Sequence, residues 1–118
     1  MKRDLDLVRK ILLEVEEKET INGYQQDLEI AGYSQDAIRY HLRIMQDADL
    51  IKYTAYMPSG IIIDKLTWQG HDFIAMSNNS QLWETTKKTA LEKGIDLTID
   101  LAVKILSKLR EEHLSGFI

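Results

Sequence analysis

Cysteine is absent from this sequence of 118 residues, and proline occurs once. The lack of cysteine excludes a disulfide framework and thiolate metal sites, and it suits a reducing compartment. No apolar run is long enough to span a bilayer, and the charged residues that follow Met1 do not resemble a secretory signal peptide. We therefore expect a cytoplasmic protein without a membrane segment.

An excess of basic charge is also missing. The chain has 15 Lys and Arg residues against 19 Asp and Glu residues, and its formal net charge is −4. Proteins that bind the DNA backbone usually have a basic surface patch, so this charge balance counts against strong nonspecific DNA binding. A local basic patch is still compatible with it. Hydrophobic residues make up 44% of the chain, which is typical of a globular protein.

Signatures of catalysis and of metal binding are lacking as well. No nucleophile with a base, carboxylate pair or phosphate loop has a recognisable spacing, and Gly60 and Gly70 stand alone as turn glycines do. The histidines His41, His71 and His113 are too scattered for a site that needs at least three protein ligands. His41 lies on an apolar helix face, where we expect a buried ring with hydrogen-bond partners. The sequence predicts no enzyme, no cofactor and no metal.

Helical periodicity is clear in two segments of the first half. Between Asp4 and Lys18 the apolar residues return on one arc, which predicts an amphipathic helix. Ser34 has the chemistry of an N-cap, and the run through Ala48 predicts a second helix. Between these helices, residues 27–30 alternate polar and apolar side chains and predict a short strand.

The second half predicts a β-hairpin and three helices. Residues 50–57 and 61–66 are rich in β-branched and aromatic residues and flank the turn sequence Pro58-Ser59-Gly60. Thr67 and Ser80 can cap two helices, the second of which ends at Gly94. A last helix is predicted over residues 97–113.

Apolar side chains of the second half need a place in the core. The last helix is apolar over more than half of its circumference, so it needs cover from its own chain or from a second subunit, as in a homodimer through this C-terminal helix. Both arrangements stay open. The aromatic residues Trp68, Phe73 and Trp83 stand at element junctions, where they more often fill the core than line a ligand pocket.

The order of these elements is that of a winged-helix domain, in which the helix before the hairpin can enter the DNA major groove. The predicted fold class is α+β, mainly α: a single domain over residues 1–118, with a winged-helix (helix-turn-helix-like) core over 1–77 and a C-terminal helical extension over 78–118. Little room is left for a separate helix between the first strand and the second helix.

Several segments carry a resemblance to a known family. They are residues 1–12, Gly32-Tyr33-Ser34, Tyr40-His41-Leu42, Ala48-Asp49-Leu50-Ile51, Leu66-Thr67-Trp68-Gln69-Gly70-His71-Asp72-Phe73, and Trp83. In these segments the chain resembles the domain-of-unknown-function 2513 family of bacterial and phage proteins. The resemblance implies a winged-helix-like fold and an association with phage or prophage, and it implies no activity. Asp49 stands where members commonly have glycine, and it tolerates a positive φ less well.

Candidate DNA contacts lie on the second helix and on the hairpin. On the exposed helix face, Arg and Gln side chains can pair with guanine and adenine edges, and the hairpin supplies lysines for phosphate contacts. The candidates are Gln35, Arg39, Arg43, Gln46, Lys52 and Lys65. Asp36 and Asp47 share the helix face, so an ordinary solvated surface stays open as the alternative.

Two functions remain after these observations. The element order favours a phage- or prophage-associated transcriptional regulator that binds double-stranded DNA. The net charge of −4 favours the alternative, a protein-interaction module on a winged-helix scaffold that binds no DNA.

Overall fold

Five helices and one antiparallel pair of strands form the part of the chain that the structure, a computed structural model, describes: residues 2–18, 28–56 and 60–115. The elements are α1 (Leu5–Lys18), α2 (Gln35–Asp47), β1 (Ile51–Tyr56), β2 (Gly60–Leu66), α3 (Trp68–Ser77), α4 (Ser80–Glu92) and α5 (Ile99–Ser115). The fold is therefore α+β and mainly helical. The chain forms two compact units, Met1–Asp72 and Phe73–Ile118. Within the described ranges, no helix has both the length and the apolar character needed to cross a membrane.

Helix α1 forms as predicted, and Asp4 is its N-cap. The Asp4 Oδ1 atom accepts hydrogen bonds from the backbone N–H groups of Asp6, at 2.9 Å, and of Leu7, at 3.3 Å. These bonds satisfy N–H groups that the first turn of a helix leaves without an intrahelical partner. The apolar arc of the helix is buried and consists of Leu5, Leu7, Val8, Ile11, Leu12 and Val15.

The strand predicted at residues 27–30 is wrong for residues 28–30, which belong to no strand; residue 27 lies outside the described ranges. Leu28 is buried, and its carbonyl oxygen accepts a hydrogen bond from Gln35 Nε2 at 2.7 Å. A side chain thus occupies the acceptor that a neighbouring strand would have used. Gly32, with φ 88°, then turns the chain, and the Tyr33 N–H donates to the Ile30 carbonyl at 3.1 Å.

Helix α2 confirms the second predicted helix and its cap. Ser34 Oγ accepts a hydrogen bond from the Ala37 N–H at 3.1 Å. At the other end Asp49 adopts φ 58°. The Leu50 N–H donates to the Met45 carbonyl at 2.9 Å, and the Asp49 N–H donates to the Gln46 carbonyl at 3.0 Å. This pair of bonds is a Schellman motif. The turn therefore forms with aspartate in the left-handed conformation.

Strands β1 and β2 form the predicted hairpin. Residues 57–59, which include Pro58 and Ser59 of the predicted turn, lie outside the described ranges, and Gly60, the last residue of that turn, begins β2. Near the start of β1 the register pairs Ile51 with Leu66, and both residues are buried. The register then shifts, so that Asp64 is an extra residue on β2, as in a β-bulge. One face of the hairpin therefore joins the core of the first unit and the other faces solvent.

Helix α3 begins at a tight junction with the end of α2. The Thr67 N–H donates to the Leu50 carbonyl at 3.0 Å, and Thr67 Oγ1 donates to the Asp49 carbonyl and accepts from the Gly70 N–H at 3.1 Å. Interpreting Gly70 as a turn glycine is wrong, because it lies within α3 and is buried. A Cβ atom at this position would overlap the Leu50 carbonyl oxygen. Close approach of two backbones is the reason for this glycine.

In the second unit, α4 and α5 pack against each other. Asn79, rather than the predicted Ser80, caps α4: its Oδ1 atom accepts from the N–H groups of Gln81, at 3.0 Å, and Leu82, at 3.1 Å. Asn79 has the extended backbone that an N-cap requires, whereas Ser80 is already helical. Gly94 ends α4 as predicted, with φ 64°.

The aromatic residues divide between core and surface. Phe73 and Trp83 are buried and meet edge to face, with 5.8 Å between ring centroids, as expected for core residues. Trp68 is 82% exposed, so the prediction that it fills the core is wrong. It is the first residue of α3 and follows the buried Thr67, but its own side chain points to solvent.

Candidate nucleic-acid interface

The exposed face of α2 carries the predicted base contacts. Ile38, His41, Leu42 and Met45 are buried on one side of the helix. Arg43 lies on the opposite side and is exposed, while Arg39, one turn earlier, is half-buried. Asp36 and Asp47 are exposed on the same side, so the arginines and aspartates of this face carry equal and opposite charge.

The two glutamines of this face are already engaged in the fold. Gln35 Nε2 donates to the Leu28 carbonyl at 2.7 Å, and Gln46 Oε1 accepts from the Tyr53 N–H at 2.7 Å. Bidentate pairing with adenine needs both polar groups of an amide, and in each glutamine one of the two is already engaged by a bond within the fold. Gln35 and Gln46 therefore attach the two ends of α2 to the segments that precede and follow it in the same chain.

Lys52 and Lys65 lie opposite each other on the solvent-exposed face of the hairpin. They are register partners across the two strands, and both are exposed. The nearby Asp64 carboxylate accepts a hydrogen bond from Thr54 Oγ1 at 3.1 Å. Among the residues described, no carboxylate forms an ion pair with either lysine. Like charges directly opposite on a sheet repel each other, so an anion placed between these ammonium groups would be stabilised.

A buried polar network joins the start of α1 to α2. His41 is 2% exposed; its Nε2 accepts from the Asp4 N–H at 2.9 Å, and its Nδ1 lies 2.8 Å from the Ala37 carbonyl oxygen. Because a carbonyl only accepts and an N–H only donates, the ring must carry its hydrogen on Nδ1 and none on Nε2. The expectation of a core histidine with hydrogen-bond partners is confirmed. Neither nitrogen is left to bind a metal.

The same network includes Tyr33, which was named above only within a segment of the family resemblance. Tyr33 donates its hydroxyl hydrogen to Asp4 Oδ2, with 3.1 Å between the oxygens, and Lys10 Nζ lies 5.4 Å from the centroid of the Tyr33 ring.

His71 is exposed and lies apart from this network, with its Nδ1 3.6 Å from Glu16 Oε2. In the described ranges, His, Cys, Asp and Glu side chains form no group of three or more that could hold a metal ion.

Comparison with known proteins identifies the family of this scaffold. The family described as "Hypothetical protein (DUF2513)" matches residues 2–96. The chain belongs to this DUF2513 family. An uncharacterised protein of Haemophilus influenzae is 30% identical to this chain over an alignment 118 residues long. The alignment covers 98% of this chain and all of that protein. No solved structure matches the chain. The DUF2513 match ends before α5, which begins at Ile99.

The segments that carry the DUF2513 resemblance meet at two structural junctions. Asp4, Tyr33 and His41 form the first, through the hydrogen bonds between them. Leu50, Thr67 and Gly70 contribute to the second, where α3 begins. The candidate DNA contacts on α2 and the hairpin lie outside these segments. Membership of the DUF2513 family therefore explains the scaffold and leaves the function to be argued from the surface.

Proposed function

We propose that this DUF2513 protein is a non-enzymatic regulator of transcription that binds double-stranded DNA, and that its first unit works as a winged-helix module. The single observation that carries the proposal is the exposed pair of Lys52 and Lys65, whose ammonium groups have no carboxylate partner among the described residues. A phosphate of the DNA backbone is an anion that both lysines can contact at once.

The position of this pair beside α2 supports the proposal. The bond from the Tyr53 N–H to Gln46 Oε1 ties β1 to the last turn of α2. Arg43 precedes Gln46 by one helical turn, and Lys52 precedes Tyr53 by one residue. One hydrogen bond thus joins the strand that carries the phosphate-binding lysine to the helical turn that follows the base-reading arginine. In a winged-helix complex, α2 would enter the major groove and the hairpin would contact the adjacent backbone.

The test measures binding of the full chain to a pool of mixed-sequence DNA duplexes by fluorescence anisotropy at several salt concentrations. Lys65→Glu reverses one charge of the lysine pair and is expected to weaken binding about 10-fold or more at low salt. Lys108→Glu, on the exposed side of α5, makes the same change in net charge and is the matched control. Arg43→Ala is expected to change the sequence preference, which a selection from random duplexes would detect.

Two results would contradict the proposal. The first is a wild-type protein that does not bind duplex DNA even at low salt. The second is an equal loss of affinity in Lys65→Glu and Lys108→Glu, because the effect would then come from net charge rather than from the hairpin. The phage or prophage association and the homodimer through α5 stay predictions.

A further inference from the structure

Trp68 is an exposed tryptophan on a rigid support. Its side chain is 82% exposed, whereas the other tryptophan of the chain, Trp83, is 1% exposed. A large aromatic side chain that stays in water retains apolar surface that a partner can bury, and tryptophan is prominent among the residues that dominate protein interfaces.

The backbone under Trp68 is held from both sides. The preceding residue, Thr67, bonds through its N–H to the Leu50 carbonyl and through Oγ1 to the Asp49 carbonyl. Gly70, two residues after Trp68, packs directly against the Leu50 carbonyl. The indole therefore projects from a fixed helix start rather than from a loop, and a partner that contacts it orders little additional chain.

Three carboxylates belong to residues that lie on the first turns of α3 or contact them. Asp49 is exposed and is tied to Thr67 through its carbonyl, and Asp72 is exposed one turn along α3 from Trp68. Glu16 reaches the same helix through its 3.6 Å contact with His71, three residues after Trp68. Such carboxylates repel DNA phosphates and attract cationic side chains. The nearest lysine along the chain, Lys65, lies on the exposed face of the hairpin.

We propose that Trp68, with the carboxylates of Asp49, Asp72 and Glu16, forms a docking site for an arginine- or lysine-bearing segment of a partner protein. A guanidinium or ammonium group stacks on the indole face as a cation–π contact, while the carboxylates complement its charge. The site consists of different residues from the lysine pair of the hairpin, so it can be tested separately from the proposed DNA binding.

The experiment titrates the full chain with a ten-residue peptide of alternating glycine and arginine. Isothermal calorimetry measures the affinity, and the part of the tryptophan emission that Trp68→Ala removes, as distinct from that of the buried Trp83, reports on Trp68. Trp68→Ala is expected to weaken binding about 2- to 30-fold, the range that corresponds to the loss of one cation–π contact, and Trp68→Phe is expected to weaken it less. Asp72→Asn is expected to weaken binding more than Glu29→Gln, which removes an exposed carboxylate that takes part in none of the contacts at the start of α3.

Three outcomes would overturn this proposal. If the peptide binds Trp68→Ala and the wild type equally, the attraction is only that of a negatively charged chain. If Trp68→Ala instead lowers the affinity for duplex DNA, the surface belongs to a nucleic-acid interface. If Trp68→Ala abolishes self-association in analytical ultracentrifugation, the occupant is a second copy. Because the DNA test changes Lys65 and this one changes Trp68, the two proposals can fail separately.

Discussion

Asp4 serves three segments of the chain with three different groups. Its Oδ1 atom caps α1, its Oδ2 atom accepts from the Tyr33 hydroxyl, and its backbone N–H donates to His41 Nε2. The histidine in turn holds its own helix through the Ala37 carbonyl. The fold thus depends on a polar network in which each buried donor has an acceptor.

We expect His41→Leu to lower the free energy of unfolding by about 1–3 kcal/mol, because the Asp4 N–H and the Ala37 carbonyl lose the ring that bridges them. Urea denaturation followed by circular dichroism measures the change. Tyr33→Phe is the comparison, since it removes one hydroxyl and should cost only about 0.5–1.5 kcal/mol. A His41→Leu protein as stable as the wild type would show that the network contributes nothing.

Gly70→Ala provides a second test at this scale, because two effects predict opposite signs. Helix propensity alone would make alanine stabilising by about 1 kcal/mol in the interior of α3. The overlap of a Cβ with the Leu50 carbonyl should outweigh this effect and lower the free energy of unfolding by about 1–3 kcal/mol. Thermal and urea denaturation decide between the two. Gln69→Ala, at the exposed neighbouring position, should change stability by less than about 0.5 kcal/mol.

At the scale of elements, the end of α2 determines where both the hairpin and α3 begin. The Schellman turn at Asp49 leads directly into β1, and the carbonyl groups of Asp49 and Leu50 then receive the two bonds from Thr67. A residue in the left-handed conformation is therefore required at position 49, and aspartate adopts it with some strain.

We expect Asp49→Gly to raise the free energy of unfolding and Asp49→Ala to lower it, with about 1–2 kcal/mol between the two variants. Both variants remove the same carboxylate, so the difference isolates the backbone conformation from the charge. Chemical denaturation of the three proteins gives the order. An alanine variant as stable as the glycine variant would contradict the left-handed turn.

The hairpin also contains a destabilising pair, because the ammonium groups of Lys52 and Lys65 repel each other. We expect Lys65→Glu to raise the free energy of unfolding by about 0.2–1 kcal/mol, because a like-charge pair becomes an opposite-charge pair. The same variant is expected to weaken DNA binding. Denaturation at low and at high salt checks the electrostatic origin, since screening should reduce the gain. Loss of both stability and DNA binding would point instead to a damaged hairpin.

For the whole molecule, net charge sets the strength of nonspecific binding. The chain carries −4, and the proposed DNA contacts supply only Arg39, Arg43, Lys52 and Lys65. If two to four of these meet phosphates, the logarithm of the binding constant should fall against the logarithm of salt concentration with a slope of about −2 to −4. Lys52→Ala should make this slope less negative by about one. A slope that Lys52→Ala leaves unchanged would remove this residue from the interface.

Sequence periodicity was sufficient for the helices and less so elsewhere. The apolar arcs of α1 and α2 and the chemistry of Ser34 and Gly94 depend on neighbours a few residues apart, so these features could be predicted. The strand at residues 27–30 could not be judged from its alternation, because four residues do not indicate whether another strand lies beside them. Asn79 and Ser80 both have capping side chains, and only the backbone conformation distinguishes them.

The candidate site was predicted only as a set of residue types. That Arg43 and the two lysines are exposed agrees with the sequence pattern, but the bonds that occupy Gln35 and Gln46 join residues seven positions apart across a change of element. The exposure of Trp68 was missed, because composition favours a buried tryptophan and the surrounding packing alone decides whether one is buried.

Composition and short-range pattern were enough to establish the family, the mainly helical α+β class, the positions of the helices and hairpin, and the excess of acidic charge. Only the packed fold revealed the close approach at Gly70, the network around Asp4, the opposed lysines and the exposed Trp68. Each of these depends on atoms brought together from separate elements, and their distances follow only from how those elements pack.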